Sequence, residues 1–133
     1  MAESSTGGAA TGGVRLLLRL EGFALFAAAI GAYVTLDGRW WLLAILILAP
    51  DLAFLGYLAG NRLGAAAYNA AHSTIGPLAL GCVALAAHWP TVLSIALIWA
   101  AHVGIDRALG YGLKYADGFG NTHLGRIGRQ ALS

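Results

Sequence analysis

Charge is what this chain has least of. Charged residues fill 11% of its 133 positions and hydrophobic residues 59%, whereas soluble domains carry about 25% charge. Between Leu63 and Ala87 no formally charged residue occurs, and between Trp40 and Asn61 only Asp51 does. Segments apolar on every side exclude a soluble bundle, whose outer faces must be polar, and imply helices that cross a membrane. The lone Cys82 excludes an intrachain disulfide and falls mid-span, where it reads as a small packing residue. No His-Glu-x-x-His or other standard metal signature is present, and no nucleic-acid partner is expected.

What is there is four apolar stretches, Leu16 to Leu36, Trp40 to Ala59, Leu63 to Ala87 and Thr91 to Leu113, joined by the short turns Asp37-Gly38-Arg39, Gly60-Asn61-Arg62 and His88-Trp89-Pro90. Short loops force antiparallel neighbours, so the expected fold is all-α, a four-helix up-down-up-down transmembrane bundle over residues 15–113. Residues 1–14, rich in Ala, Gly, Ser and Thr, are expected to be a disordered tail. Arg15 and Arg19 before an alanine-containing apolar run resemble a signal peptide, but Glu21 inside the run favours a retained helix. Residues 114–133 read as a glycine-rich cytoplasmic segment. Arg15, Arg19, Arg62, Arg107, Lys114, Arg126 and Arg129 fall on one side and Arg39 alone on the other. The positive-inside rule therefore puts both termini in the cytoplasm.

Six polar residues interrupt the stretches: Glu21 early in the first, Asp51 late in the second, Asn69 and His72 early in the third, His102 and Asp106 late in the fourth. In an alternating bundle those positions share one end, and a rise of about 1.5 Å per residue puts all six roughly 9 to 16 Å deep. Buried charges cost about 2.5 to 3.5 kcal/mol each on insertion scales, so the carboxylates must be paired, protonated, metal-bound or wet. His102 and Asp106, four apart, lie on one helix face, as do Asn69 and His72, three apart. With Glu21 and Asp51 they offer two His and three carboxylates, enough for one metal with an open position or for two sharing a carboxylate. The plainer alternatives are Asp106 pairing with Arg107, Glu21 with Arg19 or Arg62, and His72 as a packing residue.

Pro50 and Pro77 are expected to kink their helices beside Asp51 and His72, freeing backbone carbonyls. Tyr33, Trp40, Trp41 and Trp89 read as the outer aromatic belt. Tyr57, Tyr68 and Tyr111 read as the inner one, or as hydrogen-bond partners of the buried carboxylates. The spacing of Gly56, Gly60 and Gly64 crosses a loop and is not read as a dimerisation motif. In the C-terminal segment Lys114, Arg126 and Arg129 suit anionic headgroups, and His123 is a further ligand or proton shuttle.

Arg19-Leu20-Glu21-Gly22, Ala49-Pro50-Asp51-Leu52, Gly56-Tyr57-Leu58-Ala59-Gly60, Tyr68-Asn69-x-x-His72, Trp99-Ala100-Ala101-His102-Val103-Gly104-Ile105-Asp106-Arg107, Gly110-Tyr111-Gly112-Leu113-Lys114-Tyr115 and Thr122-His123-Leu124-Gly125 resemble a small bacterial membrane family, domain of unknown function 4260. The likeness runs from about Arg15 to Arg126 and implies a four-span membrane protein with no established activity; the residues themselves suggest the bacterial inner membrane. The leading reading of the residues is a metal-dependent hydrolase acting on a lipid-like substrate. Asp51, His72, His102 and Asp106 would hold a divalent ion, zinc slightly preferred to iron or manganese, with Glu21, Asn69 and His123 in catalytic roles. The alternatives are a proton- or cation-coupled carrier and a structural subunit docking a partner. The apolar outer half favours the enzyme, because a carrier needs access from both sides. The sequence fixes no oligomeric state.

Overall fold

The computed structural model describes residues 12–111, 121–122 and 125–126. Its elements are α1 (Gly12–Thr35), α2 (Trp40–Leu46), a 3-10 helix (Ala49–Ala59), α3 (Asn61–His72), α4 (Ile75–Ala86), α5 (Pro90–Ala108) and two short strands, β1 (Asn121–Thr122) and β2 (Gly125–Arg126). The strands pair antiparallel, Asn121 opposite Arg126. The described chain is otherwise helical. Among the described residues three segments are long and apolar enough to cross a membrane: Gly12–Thr35, Trp40–Ala59, which joins α2 to the 3-10 helix, and Pro90–Ala108.

Two of the four expected helices differ from the sequence reading. Leu63 to Ala87 is broken at Ser73 and Thr74 into α3 and α4, of 12 residues each. The Ser73 hydroxyl accepts the Ile75 N–H at 3.1 Å, a local bond that competes with the helix ladder. Pro77 is not the hinge; it sits in the first turn of α4, where a missing donor costs nothing. Trp99 of α5 fills the break. Its indole N–H donates to the Ala71 carbonyl at 2.5 Å, and its ring lies where a side chain on Gly76 would stand.

The second departure is the 3-10 helix, 11 residues long where runs beyond about 4 are uncommon. Pro50 explains its start: a proline ring clashes with the carbonyl four residues back, and α2 ends at Leu46. A period of three in the sequence explains its length. Leu52, Leu55 and Leu58 form one outward face, 69%, 64% and 87% exposed, and Pro50, Ala53, Gly56 and Ala59 form a small face. The third face is Asp51, Phe54 and Tyr57. At three residues per turn each set lines up one above another.

These faces set the packing. The 3-10 helix runs antiparallel to α3: Asp51 meets His72, the Phe54 ring lies 5.2 Å from that of Tyr68, and Tyr57 covers Gly64. Gly56 and Gly64 therefore bring two neighbouring segments of this chain together. α4 runs antiparallel to α5, Gly76 facing Trp99 and Gly81 facing Ala96. α1 crosses α5 at two glycines. A Cβ on Gly22 would stand 2.8 Å from the Gly104 carbonyl oxygen, so only bare backbone fits.

The expected turns close α1 and α4, whereas α5 ends at Ala108, short of the expected Leu113. α1 ends in paired bonds, Gly38 N–H to Tyr33 carbonyl and Asp37 N–H to Val34 carbonyl, with Asp37 at φ 56. The same pairing closes α4 at His88 and α5 at Gly110, both at positive φ. Tyr33 departs from the belt reading: it is buried, and its hydroxyl donates to the Arg39 carbonyl across this turn. Trp40, Trp41 and Trp89 are exposed.

Candidate metal centre

Three segments deliver four side chains to one point. The Asp51–Phe54–Tyr57 face of the 3-10 helix supplies Asp51, the last turn of α3 supplies His72, and one face of α5 supplies His102 and Asp106. One donor atom from each lies within 4.8 Å of every other. His72 Nε2 is 3.2 Å from Asp51 Oδ1 and 3.4 Å from Asp106 Oδ2. His102 Nε2 is 3.1 Å from Asp51 Oδ1 and 3.2 Å from Asp106 Oδ2. The two Nε2 atoms are 3.0 Å apart.

The far side of each ring decides what those atoms are. His72 Nδ1 lies 2.9 Å from the Tyr68 carbonyl and His102 Nδ1 lies 2.5 Å from the Ile47 carbonyl. A carbonyl oxygen only accepts, so each Nδ1 carries the proton and donates. Each neutral ring then turns a bare Nε2 lone pair toward the other and toward two carboxylates. With both rings neutral and both carboxylates ionised, four acceptors converge with no donor among them, an arrangement relieved by a cation or by a shared proton. Protonating both rings would set two N–H groups face to face at 3.0 Å, so between the rings there is room for one proton or for a metal ion.

The spacing suits a small divalent ion. Ligand atoms about 2.0 to 2.1 Å from zinc lie about 3.3 to 3.4 Å apart at tetrahedral angles; five of the six separations run from 3.0 to 3.4 Å, and the sixth, between the two carboxylates, is within 4.8 Å, so the carboxylates must close in on an ion. Two carboxylates and two neutral imidazoles also cancel a 2+ charge. Histidines that bind metal commonly donate their other N–H to a backbone carbonyl, as both do here.

Burial gives the cluster a direction. The two histidines are 3% exposed, whereas Asp106 is 19% and Asp51 35% exposed. The imidazoles form the closed wall and the carboxylates the open side. Tyr68 seals the wall: its ring stacks on His72 at 3.8 Å and 6°, and it is 2% exposed. It belongs to the site, not to an aromatic belt. Its place is readable in retrospect, because Tyr68 and His72 are four apart on the α3 face that meets Phe54.

The remaining sequence candidates lie elsewhere. Glu21 is exposed on α1, within electrostatic range of Arg107 on α5, and stands outside the four-residue group. Arg19 donates from Nε to the Ala108 carbonyl at 2.9 Å, capping α5. Asn69, half-buried, lies three residues before His72 on α3. His123 falls outside the described residues.

The fold and the cluster thus define a class: helical proteins with membrane-length apolar segments and a buried His and Asp group among them. Within that class, this chain belongs to the family described as a domain of unknown function (DUF4260), whose model matches residues 15–127. No curated protein and no solved structure matches it.

Proposed function

We propose that the chain is a multi-pass protein of the bacterial inner membrane whose Asp51, His72, His102 and Asp106 hold one divalent ion, zinc before iron or manganese, for hydrolysis of a lipid-like substrate. The observation that carries this reading is the convergence of four lone pairs with both Nδ1 protons tied to backbone carbonyls. A divalent ion supplies there the Lewis acidity that polarises a carbonyl or a water. Access from the carboxylate side alone suits an enzyme. An apolar cleft of about 260 Å³, lined by Leu46, Pro50, Ala71 and Trp99 among others, adjoins Asp51 and His72 in sequence and suits an acyl chain. Asn69 would orient the substrate. Glu21, from outside the cluster, and His123 would serve proton transfer.

Metal analysis of protein purified in detergent without chelators tests the proposal. About one zinc per chain is expected, together with ester hydrolysis that a chelator abolishes and zinc restores. Protein without stoichiometric metal and indifferent to chelators overturns it. The carrier reading draws on the break between α3 and α4 directly after His72, since discontinuous helices at a polar site are a transporter trait. Cation or proton flux into liposomes, with no hydrolysis, would favour it.

In this proposal α3 and α4 together make one crossing, giving four in all with both termini cytoplasmic, on the side of seven basic residues against one. Reporter fusions at Ser133 and in the Asp37 to Arg39 turn are expected to give opposite signals. Matching signals exclude the three crossings that this topology places between the first turn and the C-terminus.

A further inference from the structure

The geometry points to Pro50 as a positioning residue for His102, acting through the Ile47 carbonyl. In an uninterrupted α-helix the Ile47 oxygen would accept the N–H of residue 51. Here the Asp51 N–H goes to Leu48 at 3.0 Å, and residue 50, being proline, has no N–H to offer. Among the described residues no backbone donor reaches the Ile47 oxygen outside the regular helix ladders. His102 Nδ1, 55 residues away in sequence, donates to it at 2.5 Å.

The consequence is a choice of tautomer. Asp51 and Asp106 both lie within 3.2 Å of His102 Nε2 and would draw the imidazole proton to that nitrogen, where it would occupy the lone pair a metal needs. The Ile47 carbonyl holds the proton on Nδ1 instead. His72 needs no such device, because its Nδ1 partner is the Tyr68 carbonyl within its own helix. Pro50 also starts the 3-10 helix whose period of three aligns Asp51 with Phe54 and Tyr57. One residue that touches no ligand atom thus sets the protonated nitrogen of one donor and the face of another.

The tautomer step stands on the hydrogen bonds alone; the effect on metal affinity rests on the metal-site proposal. Nitrogen-15 NMR of histidine-labelled protein, stripped of metal by a chelator and then titrated with zinc, separates them. In the wild type, His102 is expected to carry a proton on Nδ1, whether or not the stripped protein adds a second on Nε2; a bare Nδ1 in the stripped protein overturns the inference without need of a variant. In Pro50→Ala, where residue 50 gains a donor and loses its ring, the Asp51 N–H is free to take the Ile47 carbonyl. The His102 proton is then expected to move to Nε2 while His72 is unchanged, with zinc affinity at least tenfold weaker, the scale of such outer partners. Pro77→Ala, in the first turn of α4, is expected to change neither. Retention of the Nδ1 proton in Pro50→Ala overturns the inference. A proton that moves in protein that never binds zinc upholds Pro50 and overturns the metal site.

Discussion

His102→Ala is expected to lose bound metal and thermal stability together. A ligand present at 100 to 1,000 times its dissociation constant stabilises the folded state by about 2.7 to 4.1 kcal/mol, and for a domain near 100 residues each kcal/mol moves the melting temperature by roughly 4 °C or more. A fall on the order of 10 °C is therefore expected, with metal content near zero. Chelation of the wild type should reproduce most of that fall, and the variant should be insensitive to the chelator. Arg39→Ala, whose side chain lies exposed in the first turn, should change neither quantity. A variant that melts low while the wild type ignores chelators would mean that the imidazole matters for packing and that protons hold the cluster together.

Gly104→Ala is expected to be more damaging than any substitution of a single apolar side chain here. The added Cβ would stand 2.6 Å from the Phe26 nitrogen and 2.7 Å from the Gly22 oxygen. Both are backbone atoms, so relief requires α1 and α5 to move apart. Such overpacking against backbone belongs with the rare changes costing more than about 4 kcal/mol. Because Gly104 lies between His102 and Asp106, the displacement would also weaken zinc binding. The measurement is the yield of monodisperse folded protein in detergent, followed by zinc titration of what survives. Gly31→Ala, on the same α1 but with no atom within 4 Å of the new Cβ, should fold and gain the roughly 0.5 to 1 kcal/mol that alanine brings to a helix interior. Equal behaviour of the two variants would remove the close crossing as a determinant of the fold.

Depth along the apolar stretches brought Asp51, His72, His102 and Asp106 together before any contact was known, because helix rise and alternation convert sequence position into height. Height does not give azimuth. Glu21 has a similar height to the cluster but stands outside it, which no one-dimensional count reveals. The 3-10 helix was legible in Leu52, Leu55 and Leu58 and in Asp51, Phe54 and Tyr57, yet a search for an all-apolar span passes over a period of three because every face is acceptable to lipid. Pro77 predicts a kink within one continuous helix, whereas the chain breaks earlier, at Ser73 and Thr74, where Ser73 makes the competing bond. The Ile47 carbonyl's part in the site lay beyond sequence reading altogether. It depends on which backbone oxygen is left over after the local ladder has formed, and on a histidine from another helix arriving there.

The long 3-10 helix also bears on bilayer thickness. α1 has 24 residues and rises about 36 Å at 1.5 Å per residue. The second apolar segment has 20, but 11 of these climb about 2.0 Å each, so it reaches roughly the same height. As a continuous α-helix it would rise about 30 Å, roughly 6 Å short of α1, a difference that tilt of α1 absorbs at fractions of a kcal/mol per Å. The residue triplets that aim Asp51 inward therefore also lengthen this 20-residue segment to about the rise of α1, well beyond the roughly 28 Å of the 19-residue α5.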